Sequence, residues 1–196
     1  MNDGQMLVKG IKIHYIEDGE GDPVMLFHGS RFKAETWKDT GTIAAVSSSG
    51  KKAIAVDFPG YGQSEGGTFN SLDVFIEELM GAMKIDRAIL MGASMGGNAV
   101  IDMAVNNPDM VSGLILVGAV GITSLSERLK VLDGKPSLLI WGAQDRISSP
   151  SNYKTYMKYV TNAVFANIGK NHACYLDDPK GFNDKVTEFL KNINRI

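Results

Sequence analysis

What this chain of 196 residues lacks narrows its class before any motif is considered. It has a single cysteine, Cys174, so no internal disulfide forms, and a reducing compartment, the cytoplasm, is the simpler setting. No apolar stretch approaches the roughly 20 residues that span a bilayer, so no membrane partner is expected. The first residues, Met1-Asn-Asp-Gly-Gln5, contain no basic region followed by an apolar run, and no signal peptide is expected. A net charge of −2 gives no electrostatic reason to expect a nucleic acid partner. No internal repeat, low-complexity tract or linker interrupts the chain, which reads as one domain over 1–196. With hydrophobic residues at 44% and charged residues at 21%, it has the composition of an ordinary globular protein with a substantial core.

What is present is a series of short, continuous apolar runs separated by helical patterns. Met6–Val8 and Ile11–Ile16 form a strand pair joined through Lys9-Gly10. Val24–Phe27, Ala53–Val56, Ala88–Met91, Leu114–Val117 and Leu138–Trp141 are buried strands, and Ala163–Ile168 is a weaker one. Helices are expected from Trp37 through Val46, from Ser71 through Met80, after Gly96, over Tyr153–Val160 and over Phe182–Ile193. Such alternation means an α/β fold, a mostly parallel central sheet with helices on both faces. The first hairpin adds an antiparallel N-terminal edge. Gly118–Lys135 is long enough for a loop and one short helix, Leu125–Leu132, and too short for a cap domain.

The segment Gly92-Ala-Ser-Met-Gly96 joins a buried strand to a helix and fits G-x-S-x-G. Side chains at either glycine would clash in so sharp a turn, which leaves Ser94 strained at its apex with the hydroxyl exposed. The Met95 amide then lies at a helix N-terminus, where free N–H groups favour a developing oxyanion. A serine hydroxyl needs a base near pH 7. Of the three histidines, His14 lies in an early strand and His28 precedes a glycine turn. His172 follows the last strand, at the sheet end where Ser94 emerges, and is the expected base. Asp145, after Leu138–Trp141, is the expected acid, with turn capping as its structural alternative and Asp57 as its rival. The order Ser, Asp, His favours Asp145. Asp177 and Asp178 are expected to cap the last helix. The Ser30 amide, after the early central strand, is the second oxyanion donor. Arg31, Phe32 and Tyr61 are candidate substrate contacts, with a surface ion pair or simple packing as alternatives. Cys174 reads as a small packed residue.

Together, the strand ending in His28-Gly29, the Asp57-Phe-Pro-Gly-Tyr-Gly-Gln-Ser64 loop, the Ser94 elbow, Trp141-Gly-Ala-Gln-Asp145 and the His172 loop resemble the α/β-hydrolase superfamily over nearly the whole chain. His28-Gly-Ser-Arg-Phe-Lys-Ala-Glu-Thr-Trp37 and Asn171-His-Ala-Cys-Tyr-Leu-Asp-Asp-Pro179 are similar to the small, lidless α/β-hydrolase domain-containing protein 14 type, although glycines replace serines around the nucleophile. The resemblance implies a compact cytosolic protein acting on small activated esters or in acetyl-group chemistry; the shortness of Gly118–Lys135 predicts an open, shallow site, and a monomer or homodimer is expected. The expected activity is a serine carboxylesterase working through an acyl-enzyme on a small acyl ester, with no metal or organic cofactor. The alternatives are an acyltransferase using the same triad, with a thiol or amine as acceptor, and a non-catalytic binding protein on the same fold.

Overall fold

The computed structural model describes residues 1–193. Eight strands form one sheet: β1 (Asn2–Val8), β2 (Ile11–Asp18), β3 (Pro23–Phe27), β4 (Lys52–Val56), β5 (Ala88–Ala93), β6 (Val111–Val117), β7 (Ser137–Trp141) and β8 (Val164–Asn167). Their spatial order is β1-β2-β4-β3-β5-β6-β7-β8. The β1–β2 and β2–β4 pairs are antiparallel, while β4, β3, β5, β6, β7 and β8 run parallel. This is the mostly parallel sheet with an antiparallel N-terminal edge that the apolar runs imply.

The helices are α1 (Ala34–Asp39), α2 (Thr42–Ser48), α3 (Leu72–Met83), α4 (Met95–Asn106), α5 (Pro150–Tyr159), α6 (Cys174–Asp177) and α7 (Pro179–Ile193). Because side chains alternate along a strand, each parallel strand feeds two cores. In β3, Met25 and Phe27 pack with Phe75, Leu79 and Val100 from α3 and α4. Val24 and Leu26 face the other way, toward Trp37, Val46, Phe182 and Leu190 from α1, α2 and α7. Burial on both faces explains why these strands are continuous apolar runs rather than alternating ones.

Three local expectations change. The segment from Trp37 to Val46 is two helices, because Gly41 takes φ 73° and breaks the run; the Thr40 hydroxyl donates to the Thr36 carbonyl at the break. The region of Leu125–Leu132 forms 3-10 turns, Ile122–Ser124 and Ser126–Leu132, with Leu125 between them and Ser126 at φ 40°. Helix α5 begins at Pro150, ahead of Tyr153, because Ser149 caps it and a proline at the first helical position sacrifices no hydrogen bond. Between β6 and β7 the chain contains only those 3-10 turns, so nothing inserted there covers the carboxyl ends of the strands. Among the described residues, no helix is long and apolar enough to cross a membrane.

Candidate active site

The strand β5 passes into α4 through Ser94, whose backbone sits at φ 51°, ψ −111°. Few non-glycine residues adopt such angles, and holding one there costs about 1–3 kcal/mol. Two hydrogen bonds impose the turn: the Ser94 amide donates to Val117 O at 2.9 Å, and the Asn98 amide donates to Ser94 O at 2.9 Å. The elbow also presses on β3. A Cβ on Gly96 would stand 2.5 Å from Phe27 O and 2.6 Å from His28 O, so only glycine allows α4 to start this close to the sheet. Met95 is the first residue of α4, where an amide has no intrahelical acceptor. Across from it, Phe32 N donates to Gly29 O at 3.0 Å, closing a turn with Ser30 and Arg31 at its corners.

Beyond β7, Asp145 does two things at once. Its Oδ1 accepts the amides of Ile147 (2.8 Å) and Ser148 (3.0 Å), which is the turn-capping role. Its Oδ2 lies 2.8 Å from Nδ1 of His172. An ionised carboxylate only accepts, so Nδ1 carries the hydrogen and Nε2 presents its lone pair. That Nε2 is buried and has no hydrogen-bond partner among the described residues. The histidine loop is fastened to the acid loop by Ala143 N donating to Gly169 O (3.2 Å) and Gln144 N donating to Lys170 O (2.8 Å). Asp177 fastens it from below, accepting the amides of Lys170 and Asn171 at 2.9 and 2.6 Å. These bonds hold its carboxyl below the usual carboxylate range. This corrects the capping role expected of Asp177; Asp178 alone caps α7, accepting from the Gly181 amide at 2.9 Å. Gly118, at φ 50°, ends β6 beneath the pair; a Cβ there would come within 3.0 Å of His172 Nδ1 and 3.1 Å of Asp145 Oδ2.

Ser94 and His172 border one cavity of about 340 Å³. Gly29, Ser30, Arg31 and Phe32 form one wall, with Ile147, Asn171, Ala173 and Tyr175 around the rest. Arg31 and Phe32, candidate substrate contacts, both line the cavity that Ser94 borders. Tyr61 does not border this cavity: its hydroxyl donates to Met95 Sδ at 3.7 Å and its ring lies tilted against His28 at 5.1 Å. A larger cavity of about 460 Å³ lies at the opposite end of the sheet, beside the starts of β3 and β4, and contains none of Ser94, Asp145 or His172. Volume does not decide between them; the strained serine and the His–Asp pair do. Among the described residues, no cluster of three or more His, Cys, Asp or Glu side chains could hold a metal ion.

A model of the alpha/beta hydrolase fold matches residues 22–132. The chain belongs to that family. Protein ABHD14A of Danio rerio is 26% identical over 175 residues, covering 87% of this chain and 65% of that protein. ABHD14B of Rattus norvegicus, named for a proposed protein-lysine deacylase activity, is 23% identical over 205 residues, covering 98% of this chain and 97% of its own. Among solved structures, a "predicted CIB-like hydrolase" from Thermoplasma acidophilum superimposes with a TM-score of 0.91 at 27% identity, covering 97% of this chain and 98% of that one.

This α/β hydrolase holds a second His–Asp pair that sequence reasoning did not foresee. His14 Nδ1 lies 2.8 Å from Asp57 Oδ2, and both residues are buried. Asp57 also accepts from Gln63 N at 2.9 Å and, through Oδ1, from Ala34 N at 2.6 Å. It thereby ties the loop after β4 to the start of α1, next to the Gly29–Phe32 turn. His28 completes the tie: its Nδ1 donates to Gly29 O at 2.8 Å and its Nε2 accepts from Phe58 N at 3.1 Å. Neither pair member, nor His28, borders the Ser94 cavity. Cys174 is buried, and burial pushes its thiol up to about 12, so it stays protonated and packed.

Burial also holds the His28 imidazole below the usual histidine range, against the opposing pull of Gly29 O and Asp57. As the pH falls, the unfolded chain takes up this proton before the folded one does. The stability His28 contributes is therefore complete above about pH 6.5 and is lost as the pH falls through its lower folded value. One such proton gives a slope of at most about 1.4 kcal/mol per pH unit. Urea unfolding of the wild type and of His28→Gln between pH 8 and 5 is expected to show a shallower slope in the variant; parallel slopes would remove His28 from the acid response.

Proposed function

We propose that this hydrolase is a serine carboxylesterase acting on small or short-chain acyl esters. The observation that supports it most is the meeting of Ser94, on its strained elbow, and the Asp145-oriented His172 at one cavity. In this reading His172 Nε2 takes the hydroxyl proton while Ser94 Oγ attacks the ester carbonyl carbon. The Ser30 and Met95 amides hold the resulting oxyanion, each worth about 3 kcal/mol of barrier. The carbonyl re-forms, the ester C–O bond breaks, and His172 passes its proton to the departing oxygen. Water, deprotonated by His172, then attacks the acyl-enzyme, and the carboxylic acid leaves as Ser94 recovers its proton. Asp145 keeps the imidazole in the required tautomer and stabilises its charged form.

A cavity of about 340 Å³ suits a short acyl group, and the absence of an inserted cap between β6 and β7 leaves water free access as the second nucleophile. The whole chain serves as one domain in this proposal. A cytoplasmic setting fits its single, unpaired, buried cysteine.

The test is turnover of p-nitrophenyl esters from acetyl to decanoyl, with fluorophosphonate labelling of the same samples. Labelling at Ser94 and rates that fall as the acyl chain lengthens are expected. Absence of both labelling and turnover would leave a binding protein on the hydrolase fold. Acyl transfer through the same triad is separated by product analysis with and without a thiol or amine acceptor: acyl transfer predicts acylated acceptor at the expense of free acid.

A further inference from the structure

We propose that the leaving-group side of this site is built for an ester whose alcohol or phenol carries an anionic substituent on an apolar body, recognised by Arg146 beside Ile147. The inference rests on the esterase reading, because that reading says where the leaving group must be. His172 has to hand its proton to the departing oxygen, so the departing group lies against His172.

Against His172 there is a second cavity, of about 350 Å³, lined by Gln144, Arg146, Ile147, Asn171 and His172. It shares Ile147, Asn171 and His172 with the cavity that holds Ser94, so the two are adjoining halves of one groove. The Ser94 half contains the Gly29–Ser30 wall and so takes the acyl group and the reacting carbonyl; the other half takes what leaves. No lining residue of that second half is an acid. Asp145, next in sequence to Arg146, has Oδ2 engaged by His172 and Oδ1 by the Ile147 and Ser148 amides. Asp177, below the loop, is engaged by Lys170 and Asn171. Arg146 itself makes no ion pair among the described residues, whereas eight lysines, including Lys33, Lys130 and Lys180, each lie within reach of a carboxylate. Ile147 is 67% exposed, a large apolar side chain held at the rim. The Asp145 turn sets both residues in place, so the device that orients His172 also presents the cation and the apolar surface. An apolar body with a carboxylate would cover Ile147 and meet the guanidinium, whose planar fork matches carboxylate geometry.

The probes are 4-acetoxybenzoate, an anion, and its neutral methyl ester, with kcat/KM measured for each on the wild type, Arg146→Gln and Arg31→Gln. Dividing the anion-to-neutral ratio of the wild type by that of a variant cancels the intrinsic reactivity of the two phenols. The ratio is expected to fall about fivefold in Arg146→Gln, mainly through KM, and to fall with added salt in the wild type. It should stay put in Arg31→Gln, since Arg31 borders only the Ser94 half. An unchanged ratio in Arg146→Gln, or a fall confined to Arg31→Gln, overturns the assignment while Ser94-dependent turnover of both esters leaves the esterase reading standing. If the wild type hydrolyses neither ester, the esterase reading itself fails and the inference goes with it.

Discussion

Replacing Ser94 by alanine is expected to lower turnover of p-nitrophenyl acetate by a factor of about 10³ or more, to a residue supported only by binding and the oxyanion donors, with the protein still folded. The fold has little reason to notice. Ser94 Oγ holds no hydrogen bond among the described residues, and the bonds that shape the turn use its backbone, Ser94 N to Val117 O and Asn98 N to Ser94 O. Glycine at the same position should separate activity from strain. With φ at 51° and ψ at −111°, serine and alanine bear the same backbone penalty, whereas glycine does not. Ser94→Gly is therefore expected to be as inactive as Ser94→Ala yet more stable than it by about 1 kcal/mol, after glycine's greater unfolded-state entropy is subtracted. Urea unfolding of the three proteins checks the order. Retained ester hydrolysis in either variant would place the nucleophile elsewhere, and an alanine variant as stable as the glycine one would mean that the elbow is not strained.

The parts of this arrangement legible in the sequence are those that depend on local pattern. Val24–Phe27, Ala53–Val56 and Leu138–Trp141 stand out because both faces of a parallel sheet are buried, and Gly92-Ala-Ser-Met-Gly96 stands out because a side chain at Gly96 would meet the end of β3 and one at Gly92 the start of α4. Asp145 and His172, which pair at 2.8 Å, are singled out as candidates by chain order and by their place after strands. What depends on pairing between remote segments is not legible. His14 meets Asp57 because β2 runs antiparallel to β4, with Tyr15 opposite Val56, and no spacing in the sequence announces that register. The same is true of Asp177, which lies beside Pro179 like a helix cap but turns back to the Lys170 and Asn171 amides. Tyr61 shares a glycine-rich loop with residues that look substrate-facing, yet its ring goes behind the elbow to His28 and Met95. Ile147, Asn171 and Tyr175 were missed as wall residues; their only signal was adjacency in sequence to Asp145 and His172.

The two His–Asp pairs make the sharpest comparison, because each has the same 2.8 Å contact to Nδ1 and only one of them borders the serine. Asp145→Asn is expected to reduce kcat/KM for an aryl ester by about 10³ to 10⁴. The carboxylate now serves two masters, His172 Nδ1 through Oδ2 and the Ile147 and Ser148 amides through Oδ1. An asparagine has one carbonyl oxygen for both. If that oxygen stays with the amides, the NH₂ group faces Nδ1 and drives the hydrogen to Nε2, which can then no longer accept the Ser94 proton. If the amide flips, the NH₂ group is aimed at two backbone N–H groups and the 145–148 turn loosens. Asp57→Asn meets a similar conflict among Ala34 N, Gln63 N and His14, but its cost should fall on folding, with a lowered urea midpoint and a much smaller loss of kcat/KM. Measuring both variants for rate and for stability separates the two carboxylates: a rate loss in Asp57→Asn as large as that in Asp145→Asn, in protein shown to be folded, would transfer the acid's role to the rival pair.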